Sequence, residues 1–188
     1  TALPSAVSGG AMTLLETQTA SSSATLSFTD NIDDTYDEYV FRFYDIHPET
    51  GDVDLTFQVD TGTNTNYNQT ITSTAFDAYH SEDGTAATVG YDTGRDQAQG
   101  TSFQPIVQDV GNDNDQSCSG TLTIYNPSSS VFVKHFMSDM AIAYSQGDYH
   151  FRFFSAGYIN TTTAITRVQF KFHSGTMDAG VIKMYGVS

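Results

Sequence analysis

The chain is 188 residues long, a length that favours one domain and can bury a core without covalent staples. It carries 22 Asp and Glu against 7 Lys and Arg, a formal charge of −15, which excludes the basic stripe needed to displace counterions from nucleic acid and argues equally against an anionic membrane surface. The single cysteine, Cys118, excludes an intrachain disulfide, so the fold must rest on packing.

Thr1–Gly10 has neither the basic nor the apolar region of a signal peptide and reads as an arm ahead of one domain over 11–188. No later stretch approaches the ~20 apolar residues that would cross a bilayer, so no membrane insertion is expected. Helical periodicity is absent and period two recurs. Strands are predicted at Met12–Thr19 and Ala24–Phe28. In Tyr36–Ile46, residues Tyr39, Phe41 and Phe43 point one way and Glu38, Arg42 and Tyr44 the other. Val53, Leu55, Phe57 and Val59 then alternate with Asp54, Thr56, Gln58 and Asp60, which predicts a dry face and a wetter one. A strand follows at Tyr67–Tyr79, and then Thr85–Ile106, rich in small residues and weak in period, is predicted to be an irregular excursion. Further strands fall at Gly120–Tyr125, Val131–Met137, Tyr149–Phe154, Val168–Phe172 and Gly180–Val187. About ten short strands separated by turn residues predict an all-β, antiparallel two-sheet β-sandwich, jelly-roll-like, with eight principal strands.

Six of the seven cations, Arg42, Lys134, Arg152, Arg167, Lys171 and Lys183, fall in predicted strands. They are expected on solvent-facing or subunit-facing sheet surfaces with their stems packed over neighbouring side chains. The carboxylates crowd the loops. Hard cations take clustered oxygen ligands, so Asp33 and Asp34, and Asp113 and Asp115, are the metal candidates, for a structural calcium. Asp and Asn serve turns equally well for backbone reasons, and no cofactor is expected beyond that. The five histidines show no zinc spacing, although His150 and His173 share the polar phase of two strands. Cys118 has no basic neighbour to activate it and reads as a small residue entering a strand. No catalytic residue is singled out by any local motif, and a non-enzyme is expected. Tyrosine stacks on sugar rings, and Tyr44, Tyr67, Tyr79, Tyr91 and Tyr158 are the surface candidates for ligand binding.

The stretches Tyr36–Phe41, Ile46–Pro48, Asn66–Asn68, Asn126–Ser128, Val133–His135, Gly157–Ile159 and the ending Ser174–Gly186 resemble small virion structural proteins of marine tailed bacteriophages, including those of cyanobacteria. The resemblance implies a non-enzymatic virion component at the particle surface, either a capsid decoration or head fibre, or a tail-fibre adhesin. It implies assembly with itself, a trimer being one such assembly, and with other virion proteins. In the adhesin case it implies recognition of a host-surface glycan.

Overall fold

A computed structural model describes residues 12–145 and 148–188; the arm expected over 1–10 lies outside them. Among the described residues twelve strands follow one another with no helix: β1 (Thr13–Thr19), β2 (Leu26–Phe28), β3 (Glu38–Pro48), β4 (Leu55–Thr61), β5 (Ile71–Ser81), β6 (Ala87–Tyr91), β7 (Gln104–Pro105), β8 (Cys118–Tyr125), β9 (Lys134–Ala143), β10 (Tyr149–Ile159), β11 (Ile165–Phe172) and β12 (Met177–Val187). They form two antiparallel sheets, one of eight strands in the order β1-β12-β3-β8-β9-β10-β5-β6 and one of four in the order β2-β11-β4-β7.

The winding is that of a jelly roll. In chain order, β1, β2, β3, β4, β7, β8, β11 and β12 alternate between the sheets except at β4 and β7, which pair in the smaller one, so sequence neighbours such as β3 and β4 face each other instead of pairing. They give the blocks β1-β12-β3-β8 and β2-β11-β4-β7, the double Greek key of a two-sheet jelly roll. The remaining four strands are two insertions. β5 pairs with β6 and β9 with β10; β9 then joins β8 and β10 joins β5, widening one sheet to eight strands.

The alternation read from the sequence places the core. Phe41 on β3 meets Phe28 and Phe170 from the smaller sheet and Phe43 meets Phe170, with ring centroids 5.1–5.3 Å apart and steep interplanar angles, the edge-to-face geometry that aromatic quadrupoles favour. Phe57 packs on Phe136 in the same way at 4.9 Å. Ile182 and Met184 of β12 and Leu122 and Ile124 of β8 complete the inner face of the large sheet. Cys118 opens β8 fully buried, and burial pushes its thiol far above the usual range, as an inert core residue requires. Gly180, at φ +116, sits where β12 slips register against β3; a Cβ there would meet Asp45 O and Ile46 Cα at 2.7 Å. That bulge needs glycine.

The structure departs from the period-two reading in three places. Thr56, Gln58 and Asp60, predicted to face water, are buried. The segments after β4 and before β7 fold over them: Gln58 Nε2 donates to Gln69 O at 2.9 Å and Ser102 O at 3.0 Å, and Asp60 Oδ2 accepts from the Tyr67 amide at 2.9 Å. A polar strand face can be buried once every donor and acceptor is matched. Secondly, the excursion Thr85–Ile106 contains β6 and β7. Every residue of β6 is exposed, which leaves no burial alternation to read, and β7 is two residues long. From Asp92 onward the same stretch lies over the inner face of β5, through Asp92 N to Ala75 O and Ser73 Oγ to Gln104 Oε1. It covers the part of the wide sheet that the four-stranded sheet does not reach. Thirdly, Lys134 is not a surface cation. Its side chain is fully buried, Nζ donates to Thr161 O at 3.0 Å, and burial pulls its pKa down.

Candidate functional site

Two regions collect the residues singled out above. The first is the end of the sandwich formed by the β7–β8 loop, the start of β10 and the tips of β3 and β12. Three adjoining hollows line it. One of about 500 Å³ is bounded by Asp45, His47, Asp115 and Asp178. The next, about 390 Å³, shares Asp115 and Gln116 with it and adds Glu82, Asp113, Asp148, Tyr144 and Tyr149. The third, about 240 Å³, is walled by Tyr79, Tyr144, Tyr149 and Phe151.

The aromatic wall follows from the sheet pattern. Tyr79, Tyr149 and Phe151 hold inward-facing positions at one end of β5 and β10, with Phe151 buried and Tyr79 and Tyr149 partly buried against the core. Phe151 lies between Tyr144 at 4.5 Å and Tyr79 at 4.9 Å, both at shallow angles, and Tyr149 stands edge-on to Tyr79 and Tyr144. The result is a rigid, half-buried cluster beside carboxylates, a surface able to stack on a sugar ring and accept hydrogen bonds from its hydroxyls.

His47 is the one histidine held between acceptors here. Nδ1 lies 2.7 Å from Asp178 Oδ1 and Nε2 lies 3.1 Å from Asp113 O. Both contacts are satisfied at once only by the protonated ring. Burial alone would lower its pKa, but the Asp178 carboxylate and the loop carbonyls outweigh it and hold the value above 6.5. The stabilisation is therefore fully present below the unfolded value and is lost as pH rises through the raised folded one. Asp178→Asn is expected to bring the His47 titration, followed by NMR of its ring protons, back to or below 6.5; an unmoved titration would show that the carboxylate does not set it.

The metal candidates separate. Asp33 lies in the β2–β3 loop, where its Oδ1 accepts from Thr35 N at 2.9 Å and faces the Tyr39 hydroxyl at 3.1 Å. These bonds make it a turn clasp and, led by those from Thr35, hold its carboxyl below the usual range. Asp34 is exposed beside it. Asp113 and Asp115 border the second hollow. Among the described residues, no three His, Cys, Asp or Glu side chains converge as a metal site would require. His150 lies on β10 of the larger sheet and His173 just past β11 of the smaller one, its Nδ1 accepting the Asp54 amide at 2.8 Å.

The second region is the outer face of the eight-stranded sheet. Of the five tyrosines proposed for ligand binding, Tyr44, Tyr91 and Tyr158 stand on it, on β3, β6 and β10, whereas Tyr79 belongs to the aromatic wall. Tyr67 is buried against Phe103 and is not a surface residue. Sequence reasoning missed Tyr144, Tyr149 and Phe151 as one cluster with Tyr79, because only the β5–β10 pairing brings them together. It also missed the cleft beside His47, whose signal was present in a histidine at a strand end facing an acidic loop.

No protein-family model, curated protein or solved structure matches the chain.

Proposed function

We propose that the protein is a non-enzymatic structural module of the outer surface of a virion, assembling with itself and with other virion proteins. The resemblance to tailed-phage structural proteins motivates the reading, and the observation that supports it best is the winding. Jelly rolls are a recurring building domain of viral shells, and this one gathers its long strands in one broad eight-stranded sheet while its loops are stitched down by side-chain hydrogen bonds. Fold-level likeness is an analogy and carries no site with it. Imaging of purified particles with the protein labelled should place the label at regular positions on the head surface. Particles that lack the protein altogether would end the reading.

A second reading, a tail-fibre adhesin for host-surface glycans, is favoured by the aromatic wall of Tyr79, Tyr144, Tyr149 and Phe151 beside Glu82 and Asp148. Stacking on such rings contributes on the order of 1 kcal/mol per ring. Under this reading the purified protein binds host cells, Tyr79→Ala weakens binding about fivefold or more, and the label moves to the tail tip. Wild-type protein that neither binds cells nor blocks adsorption removes it.

A further inference from the structure

We infer that the outer face of the eight-stranded sheet is the surface through which two copies of this chain associate, a reading that names the self-partner of the assembly module proposed above. Eight large apolar or aromatic side chains are exposed among the described residues, and six of them, Leu14, Tyr44, Phe76, Val89, Tyr91 and Met137, stand on this one face. The register lines them up: Tyr91, Phe76 and Phe154 are cross-strand neighbours on β6, β5 and β10, and Met137 lies opposite Ala156. Phe76 and Phe154 stack at 4.8 Å within the patch. Scattered surface hydrophobics need no explanation, but a contiguous apolar patch on one sheet face marks an interaction surface.

Charge identifies the partner. The chain has seven cations in all, and three of them, Arg42, Arg152 and Lys183, project from this face. Each lies over an aromatic ring: Arg42 over Tyr185, Arg152 over Phe154 and Lys183 over Tyr44. Asp139, in the middle of the face, is already paired with Arg152 at 2.6 Å; Asp45 stands beside Tyr44 where β3 and β12 slip register, Asp96 accepts from the Tyr91 hydroxyl at 2.6 Å, and Glu38 and Asp178 sit at the strand ends. A molecule of charge −15 repels its own copies over most of its surface, and on this face three of its seven cations offset part of that repulsion. Its composition, aromatic residues, Met and Arg with few carboxylates, is that of an interface centre. Eight strands at about 4.8 Å spacing and central strands of about 30 Å give a face on the order of 1,000 Å², against the roughly 800 Å² per partner that a stable interface needs. Two such faces meeting across a two-fold axis make an aligned sheet-on-sheet contact in which each patch is its own complement.

Sedimentation equilibrium of the full chain at about 100 μM, well above the micromolar constants at the weak end for interfaces of this size, should return twice the chain mass. Added salt should strengthen the association by screening the net charge. The double variant Phe76→Glu, Met137→Glu should return the mass of one chain with an unchanged circular-dichroism melt, while Lys171→Glu, on the opposite sheet, should remain dimeric. In the wild type, oxidation of Met137 by dilute peroxide should slow severalfold as the protein is concentrated, a readout that needs no variant. A monomeric wild type, a face variant that stays dimeric, a Lys171 variant that dissociates equally, or a concentration-independent Met137 rate would each overturn the inference. A monomeric wild type that still labels the particle surface would leave the virion reading standing, and a dimer absent from the particle would do the reverse.

Discussion

Phe170→Ala is expected to cost about 3–5 kcal/mol of folding stability, the range for deleting a buried aromatic and leaving a cavity. Phe170 is fully buried on β11, the second strand of the smaller sheet, and makes edge-to-face contacts with Phe28 on its own sheet and with Phe41 and Phe43 on the other. Its ring therefore joins the two layers at the centre of the original eight-stranded winding. Domains are stable by only about 5–15 kcal/mol, so the loss is a large share of the total. At roughly 2–4 °C per kcal/mol for a chain of this size, the melting temperature should fall by about 10 °C. Phe170→Leu, which keeps most of the volume, should recover much of the loss. An alanine variant that melts within a degree or two of the wild type would mean that the two sheets are not packed through this residue.

Arg95→Ala is the second large expected effect. Arg95 is the only loop cation read from the sequence, and it binds three carboxylates: Nε and Nη2 to Asp54 at 3.2 and 3.3 Å, Nη1 to Asp92 at 3.0 Å, and Nη2 to Asp109 at 2.9 Å. Asp54 also accepts the Asp109 amide at 3.0 Å. The cluster clips the excursion between β6 and β7 to the start of β4 and the approach to β8. All four side chains are between 16% and 24% exposed, so removing the cation leaves three poorly hydrated carboxylates facing one another. A cost of about 3 kcal/mol follows, the low end for breaking a buried pair. The pH dependence gives a sharper test. Burial already holds Asp109 above the usual carboxylate range despite Arg95. Without the guanidinium, the folded state takes up protons that the unfolded state does not, so the variant's deficit should shrink as pH falls from about 7 toward 4. A deficit that is constant over that range would show that the loss is one of packing and not of charge.

The strands whose one face meets the core were legible in the sequence because burial alternates along them. β3, β10 and β11 show this, and the inward residues Phe41, Phe43, Phe153, Val168 and Phe170 are those the pattern named. β4 misled, because its second face is buried under polar bonds and not under apolar side chains, which no hydrophobicity pattern records. β6 was invisible for the opposite reason: with both faces exposed, nothing selects a period. Strand order could not be read because pairing between β1 and β12, or β5 and β10, depends on contacts about 70 or more residues apart in the chain. The site was legible in fragments. Tyr79 carried a signal as an aromatic on a strand end, but its partnership with Tyr144, Tyr149 and Phe151 exists only once β10 lies beside β5. The outer face shows the same limit. Arg42, Arg152 and Lys183 were expected on a sheet surface, but their presence on one sheet, over three rings, follows from the order of strands.

The jelly-roll winding places the broad outer face, the aromatic wall and the Arg95 clasp, and cross-strand nuclear Overhauser contacts in isotopically labelled protein test it most directly. Backbone contacts are expected from Val40 to Tyr185 on one side and to Thr123 on the other, from Val168 to Val59, and between the rings of Phe28 and Phe41 across the layers. Backbone contacts pairing residues 38–48 with 55–61 as a simple hairpin would contradict the winding and remove the shared surfaces built on it.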